Sequence, residues 1–303
     1  MNIAAVVLAY NSRDYIPACL ESLLRVKTAS HDLQITVIDN NSSDQSADVV
    51  RQKFPRIKLI TNTRNLGYAE GNNIGIRDAL ENKASFIWII NPDVTVDTNC
   101  LLHLLAAAEK DRSAGIFGPK IYFSPGHEFH QERYLDSDRG NVLWYAGGNM
   151  DWPNLIAAHR GVDQVDKGQY DHDIETDFIT GACMFIRNRV INDIGFFDPK
   201  YFLYYEENDF CQKAKRHHWK LMYVSQAVAW HINAHSAGVG SSLQDYYIAR
   251  NRLLFGLRYA PLRTRIALVR ESIRLYLSGR PWQRRGVLDY YTGNLGFGSF
   301  QAE

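Results

Sequence analysis

Three stretches of this chain carry residue types and spacings that chemistry can use. The first is FIWIINPDVTVD, Phe86 to Asp97, where an apolar run ends on Asn91-Pro92-Asp93. A buried strand ending on a carboxylate suits a hard cation, and a cation bridging two phosphates needs only one or two protein carboxylates. Pro92 stiffens the backbone there and lacks an N–H. The second stretch is YFLYYEEND, Tyr201 to Asp209, which places Glu206, Glu207 and Asp209 within four residues, just after the aromatics Phe202, Tyr204 and Tyr205. Crowded carboxylates in a partly apolar site raise one another's pKa, which suits a general base. Acids at a helix start are also favoured by the helix dipole, but three in four residues exceed what capping needs. The third stretch is AWHINAH, with His231 and His235. An i, i+4 histidine pair can bind zinc on a helix. Gly238 and Gly240 follow, however, and no H-E-x-x-H occurs, which argues against a zinc protease. His231 ends an apolar strand, as Asp93 does.

The elements that must position these residues alternate along the first 120 residues. Short apolar runs at 3–10, 34–39, 57–62, 85–91 and 114–122 read as strands. Between them, 13–26, 46–54, 69–82 and 98–111 have helical spacing. Alternation of this kind implies right-handed βαβ units and a mainly parallel sheet covered on both faces. Ligands of such sheets bind beyond the carboxyl ends of the strands. Those ends read Tyr10-Asn11, Asp39-Asn40, Asn62 to Gly67 and Asn91-Pro92-Asp93, all rich in Asn and Asp. Each could be ordinary turn chemistry, but four in one half-chain favour a shared site. Residues 124–172 read as loops and short strands. A Thr180-Gly181 turn, a strand at 182–186, a helix after Glu206 and a strand ending at His231 follow.

Composition bounds the function. The chain has 303 residues, 46% hydrophobic and 22% charged, with a formal net charge of +1, the balance of a soluble globular protein without a global field for nucleic acid. No run is long enough to span a membrane. The amino end enters an apolar strand at once, without a basic leader, and the four cysteines, Cys19, Cys100, Cys183 and Cys211, form no C-x-x-C pair. A cytoplasmic location, with peripheral attachment to the inner face of the cell membrane as an extension, is the expectation. Neither G-x-G-x-x-G nor a P-loop occurs, so phosphate must be held another way, most simply through a divalent cation.

The blocks VVLAYNS, VIDNNSSD, NLGYAEGNNIGI, IINPDV, TGACMFIR and FFDPKYFLYYEENDFCQK, in that order, resemble the family 2 glycosyltransferases of the GT-A fold. Among these the chain is most similar to bacterial rhamnosyltransferase-like enzymes of polysaccharide and O-antigen assembly. The resemblance covers about Ile3 to Arg252. It implies an inverting sugar transfer from a nucleotide diphosphate to a glycan or lipid-linked acceptor, with Mg²⁺ or Mn²⁺. By the same resemblance, Asp93 matches the last acid of the D-x-D metal motif, and Asn91 stands where many relatives have the first Asp. His231 matches a further metal-site position. Tyr10, Asn11 and Asp39 match base- and ribose-holding positions, and Asn72 and Asn73 a polar pair near the pyrophosphate. Ala9, Asn40, Asn65 and Gly67 complete the expected nucleotide site. Thr180, Gly181 and Glu206 are expected on the sugar and acceptor side. Glu207 matches the second residue of the family's E-D motif, usually the catalytic base, and both Glu207 and Asp209 remain candidates for that role.

This reading divides the chain into a GT-A domain at 1–250, with a nucleotide half (1–120) and an acceptor half (121–250), and a basic helical extension at 251–303. Residues 252–285 carry nine arginines against Glu271, interleaved with Leu262, Ile266, Val269, Ile273, Leu275 and Leu277. Such a segment can lie on an anionic membrane or pack on the catalytic domain with a solvated arginine face. For the donor, dTDP-L-rhamnose is the expectation, with a UDP-hexose or UDP-N-acetylhexosamine as the alternative. A sugar nucleotidyltransferase lacks its Gly-rich basic signature here. A non-catalytic scaffold would have lost Asp93, Glu207 and Asp209, all of which are present.

Overall fold

The computed structural model describes residues 1–233 and 241–301; His235, Gly238 and Gly240 lie outside the described residues. The nucleotide half follows the expected alternation: β1 (Asn2–Ala9), α1 (Ile16–Leu24), β2 (Asp32–Asp39), α2 (Ser46–Lys53), β3 (Lys58–Thr61), α3 (Gly67–Glu81), β4 (Phe86–Ile90), β5 (Val94–Val96), α4 (Cys100–Lys110) and β6 (Ala114–Phe123). Then come β7 (Leu143–Tyr145), β8 (Gly148–Asp151), β9 (Ile156–His159), β10 (Ile174–Glu175), β11 (Cys183–Arg187), α5 (Asn188–Ile194), α6 (Glu206–Arg216) and β12 (Lys220–His231). Three helices close the chain: α7 (Ser242–Tyr259), α8 (Leu262–Ser278) and α9 (Pro281–Thr292).

The main sheet runs β10-β12-β6-β11-β4-β1-β2-β3, with β5 on β12 and β7 on β6. Strands β3, β2, β1 and β4 are parallel, as are β6 and β12, while β11 runs antiparallel between β4 and β6. All five residues of β4 are buried, as a strand covered on both faces requires. The reversal at β11 brings the 180–182 turn to the carboxyl end of β4, where the Asn91 amide donates to the Ala182 carbonyl at 2.9 Å. β5 pairs antiparallel with β12 and sets Val94 opposite His231. That three-residue strand therefore carries Asp93 to the histidine. The expected first turn of α1 is absent: residues 13–15 form a turn, and the helix starts with Pro17 in its first turn, the position where a missing N–H is harmless.

The C-terminal part is helical, as expected. The boundary at residues 250 and 251 falls inside α7, and both residues there are fully buried. A second apolar core joins Leu253, Phe255, Ala260, Leu268 and Val287 of α7–α9 to Met150, Leu155 and Tyr201. These helices thus share a core with Met150, Leu155 and Tyr201. The four cysteines are buried and unpaired. Among the described residues, no helix is long and apolar enough to cross a membrane.

Candidate active site

A cleft of about 460 Å³ opens at the carboxyl ends of the parallel strands, where the sheet rule puts it. Its walls include Tyr10, Asn40, Asn65, Gly67, Asn91 and Asp93 from the strand ends, with Phe202 and Tyr204 opposite. Asn40 organises the rim. Its amide nitrogen donates to Asn65 Oδ1 at 2.8 Å and to the Gly67 carbonyl at 3.1 Å, and its oxygen accepts from Asn62 and the Leu66 amide. Asn11, at positive φ, ties the β1 end to the β2 end by accepting from the Ser43 amide at 2.9 Å. Asp39 is buried beside Ala9, accepts from the Ser42 amide at 3.3 Å and keeps Oδ1 without a partner.

Asp93 and His231 meet at one end of this cleft, with Nε2 3.2 Å from Oδ1 and both side chains buried. His231 Nδ1 is buried without a partner. The Trp144 ring stands edge-on between His231, at 4.4 Å between centroids, and His159, at 4.3 Å. Because His159 Nδ1 lies 3.1 Å from the Trp144 carbonyl, an acceptor only, that nitrogen carries the proton and Nε2 is left to accept. Burial pushes His159 down to about 4, so the ring is neutral at physiological pH. Among the described residues, no group of three or more His, Cys, Asp or Glu forms a closed metal site. A cation whose remaining ligands are diphosphate oxygens and water needs fewer protein donors. One carboxylate oxygen 3.2 Å from the imidazole Nε2 of His231 fits that demand.

The acidic turn is built on unusual backbone. Phe202, Tyr204 and Tyr205 all have left-handed φ, at 63°, 69° and 73°. Each costs a non-glycine residue roughly 1–2 kcal/mol. Hydrogen bonds worth about 1 kcal/mol each, with the two Asn251 amide hydrogens shared among three carbonyls, offset this. Asn251 Nδ2 donates to the carbonyls of Tyr201, Leu203 and Tyr204 at 2.7–2.9 Å. Arg250 Nη2 donates to those of Lys200 and Tyr201, and the Tyr68 amide to that of Phe202 at 2.6 Å. Gly67 is required at this contact: its φ is +76°, and a Cβ would overlap the Phe202 carbonyl and ring. The turn then delivers Glu206 and Glu207 at the start of α6. Glu206 is buried with Oε2 unpartnered, while Glu207 lines a second cleft of about 510 Å³ with His159, Phe178, Tyr205, Arg252 and Glu271. Tyr204 lines both clefts. Burial pushes both carboxyls above the usual range, and the charge of Glu207 raises Glu206 further. The same two acids, after burial, push the Tyr68 phenol up; its hydroxyl donates to the Gly181 carbonyl at 2.6 Å.

Several expected residues lie elsewhere. Asp209 is fully buried, accepting from Arg258 at 2.6 Å, Tyr259 at 2.9 Å and Tyr201 at 3.1 Å. It fastens α6 to α7 and cannot reach a substrate proton. Asn73 is also a packing residue, bonded to both the amide and the carbonyl of Phe197. Asn72 is fully buried on α3 and donates to the Tyr68 carbonyl, away from the cleft lining. Thr180 is buried and accepts from the Ala182 amide. The aromatics divide: Phe202 stacks on Tyr247 at 5.2 Å and Tyr205 packs on Phe255, while Tyr204 faces the clefts. Trp144, His159, Tyr68, Arg250 and Asn251 were not foreseen. Arg250 and Asn251 sit in a helix that also carries Gln244, Asp245, Arg252 and Arg258, so no local pattern marks them as buried.

The chain belongs to Glycosyl transferase family 2, whose family model matches residues 4–195. Among curated relatives, it is 25% identical over 247 residues to an N-acetylglucosaminyl-diphospho-decaprenol L-rhamnosyltransferase of Mycobacterium tuberculosis, covering 78% of each chain. It is 27% identical to the low-salt glycan biosynthesis hexosyltransferase Agl10 of Haloferax volcanii, covering 73% of this chain and 66% of that one. Its fold is that of GT-A glycosyltransferases. GalNAc-T7, solved with UDP, GalNAc and Mn²⁺, superposes with a TM-score of 0.66 at 16% identity, covering 93% of this chain and 52% of that longer one. The mannosyltransferase PcManGT from Pyrobaculum calidifontis, solved with GDP-Man and Mn²⁺, superposes at 0.56 with 13% identity, covering 99% of this chain and 76% of that one.

The raised carboxyl of Glu206 makes a stability prediction with a definite sign. Its folded-state pKa lies above its unfolded value, so the folded state holds more protons and stability falls as pH rises through that window. Glu206→Gln removes the term. The variant should gain stability over the parent as pH rises from 4.5 to 8, measured by urea midpoints. A difference that stays constant with pH would contradict the burial of an uncompensated carboxyl.

Proposed function

We propose that the protein is an inverting glycosyltransferase that moves L-rhamnose from dTDP-L-rhamnose to a lipid-linked saccharide in bacterial polysaccharide or O-antigen assembly. The observation that carries the reading is the common wall of the two clefts. Tyr204 borders both the strand-end cleft with Asp93 and the cleft with Glu207. A donor in the first and an acceptor in the second would meet there, and a hydroxyl beside Glu207 could reach the anomeric carbon directly.

In this mechanism Glu207 takes the proton of the acceptor hydroxyl as it attacks C1 from the face opposite the leaving diphosphate. Its raised pKa brings it nearer the operating pH, as general-base catalysis favours. His159, neutral and with Nε2 free to accept, orients the acceptor through a hydroxyl. Asp93 and His231 would hold Mg²⁺ or Mn²⁺, which neutralises charge developing on the leaving diphosphate. Asn65, Asn91 and Tyr10 contact the nucleotide diphosphate, and Tyr10, 45% exposed, offers a face for the base. The apolar surfaces of Phe202, Leu203 and Leu243 in the donor cleft suit the methyl of a 6-deoxy sugar. The Mycobacterium relative's name supports both the rhamnose and the lipid-linked acceptor. A peripheral membrane contact within residues 252–285 belongs to the same reading, since a polyprenyl-linked acceptor resides at a membrane.

Glu207→Gln should lower transfer by about 10²–10⁴-fold, the range for loss of a general base, while leaving the affinity for dTDP in Mn²⁺ unchanged by calorimetry. Asp209→Asn should act instead through stability. Equal transfer by Glu207→Gln and the parent would remove Glu207 from the mechanism.

Donor choice is tested by comparing dTDP-L-rhamnose, UDP-glucose, UDP-galactose and UDP-N-acetylglucosamine under one metal condition. The rhamnosyl donor should turn over fastest, and because one apolar group discriminates by only about 1–3 kcal/mol, slow turnover of others is expected. A clear preference for a UDP-sugar would overturn the rhamnose assignment and keep the glycosyltransferase.

A further inference from the structure

The arginine-rich segment is not one surface. Arg252 pairs with Glu271, Arg258 with Asp209 and Asp198, Arg280 with Asp245 and Arg285 with Asp289. Three of these pairs lie within α7–α9, and only Arg258 reaches acids outside them, so all four arginines are occupied within the fold. Helix α8 is different. Only Thr264, Leu268 and Ser272 are buried along its 17 residues, and Leu275 is half-buried against the second core. Leu262, Ile266, Val269, Ile273 and Leu277 recur every three or four residues, so they share one face. That face is turned to solvent, with exposures from 38% for Val269 to 73% for Leu262. Tyr276 and Tyr291, 45% and 55% exposed, stand near its edge, and Tyr291 is held to α8 by Ser272 at 2.8 Å. Arg263, Arg270 and Arg274 are exposed beside the stripe and form no ion pair among the described residues. The one acid of α8, Glu271, is paired with Arg252.

We propose that α8 is a membrane-docking helix: its outward aliphatic stripe enters the interface of an anionic bilayer, with Arg263, Arg270 and Arg274 on lipid phosphates, and holds the Glu207 cleft at the surface. An aliphatic stripe with cationic flanks and interfacial tyrosines is the pattern of helices that lie in that interface. The charge selects the occupant. Two copies of α8 packed stripe to stripe would bring unpaired arginines toward unpaired arginines, whereas anionic headgroups neutralise them. The placement also fits. Glu271 lies on the opposite side of α8 from the stripe and lines the Glu207 cleft. The cleft would therefore stand about one helix diameter, ~10 Å, above the membrane, within reach of a sugar carried on a lipid diphosphate. This last step rests on the lipid-linked acceptor proposed above; the docking itself does not.

The test is sedimentation of the full chain with phosphatidylcholine vesicles, with and without phosphatidylglycerol. Binding is expected to the anionic vesicles only, weakening as salt screens the arginines. The double variant Ile266→Ser, Ile273→Ser replaces exposed side chains, so it should fold as the parent does, and it should lose about tenfold or more in vesicle affinity. Its hydrolysis of the nucleotide-sugar donor in solution should equal the parent's, because neither residue lines a cleft. No binding to anionic vesicles, equal binding to neutral ones, or undiminished binding by the double variant would overturn the proposal. So would a parent dimer that the double variant abolishes. Absence of donor hydrolysis in both proteins would instead count against the glycosyltransfer reading and leave the docking result to stand on its own.

Discussion

The geometry of the site depends on a hydrogen-bond clamp between two distant parts of the chain. Asn251 donates one side-chain amide to three carbonyls of the 201–204 turn, and the adjacent Arg250, fully buried, holds Lys200 and Tyr201. Arg250 Nε in turn donates to Asn251 Oδ1 at 2.9 Å, which fixes the amide's orientation. Without this clamp, three non-glycine residues would have little reason to stay left-handed. With it, the chain turns sharply enough to present Glu207 to one cleft while Tyr204 borders both. Strain at the turn is thus tied to Glu206 and Glu207, and stability is drawn from helix α7.

This explains why the C-terminal helices are part of the catalytic unit. The Arg258–Asp209 pair repeats the logic one turn further along α6. Asp209 is fully buried and accepts from an arginine and two tyrosines through Oδ1, while Oδ2 has no hydrogen-bond partner and lies 3.8 Å from Lys213 Nζ; these contacts pin α6, whose first turn carries Glu206 and Glu207. Asp209 and Glu207 lie two residues apart, yet Asp209 is fully buried among its partners while Glu207 lines a cleft. The donor side has a different anchor. Asp93 is positioned by β5 pairing with β12, and Trp144 stands between the histidines of the two clefts, so the two sides share a rigid wall.

What the sequence made legible follows from the range of the interactions involved. Asp93 and His231 could be read because each ends an apolar strand, a pattern local to a few residues. The nucleotide half could be read because buried parallel strands are continuous apolar runs. Asn72 and Asn73 matched a family position by motif, but Asn73 is bonded to Phe197, 124 residues away, and no local pattern reports that. The boundary drawn at 250 falls inside α7, and no local pattern reports that either. A rise in arginine content looked like a change of object, whereas a shared apolar core and the Arg258 pairs with Asp198 and Asp209 join the helices to the rest of the fold. His159 was missed because a single histidine in a weakly patterned segment carries no periodic signal.

The central claim is that the Asn251 clamp holds the acidic turn in its strained conformation. Amide hydrogen exchange under native conditions, comparing Asn251→Ala with the parent, tests it most directly. The amides of Leu203 and Asp209 are hydrogen-bonded within the clamped segment, to Tyr201 and Tyr205. Exchange across residues 201–209 should be faster in the variant, with β1, β2 and β4 protected as in the parent. Unchanged exchange at Leu203 and Asp209 in a folded Asn251→Ala variant would contradict it.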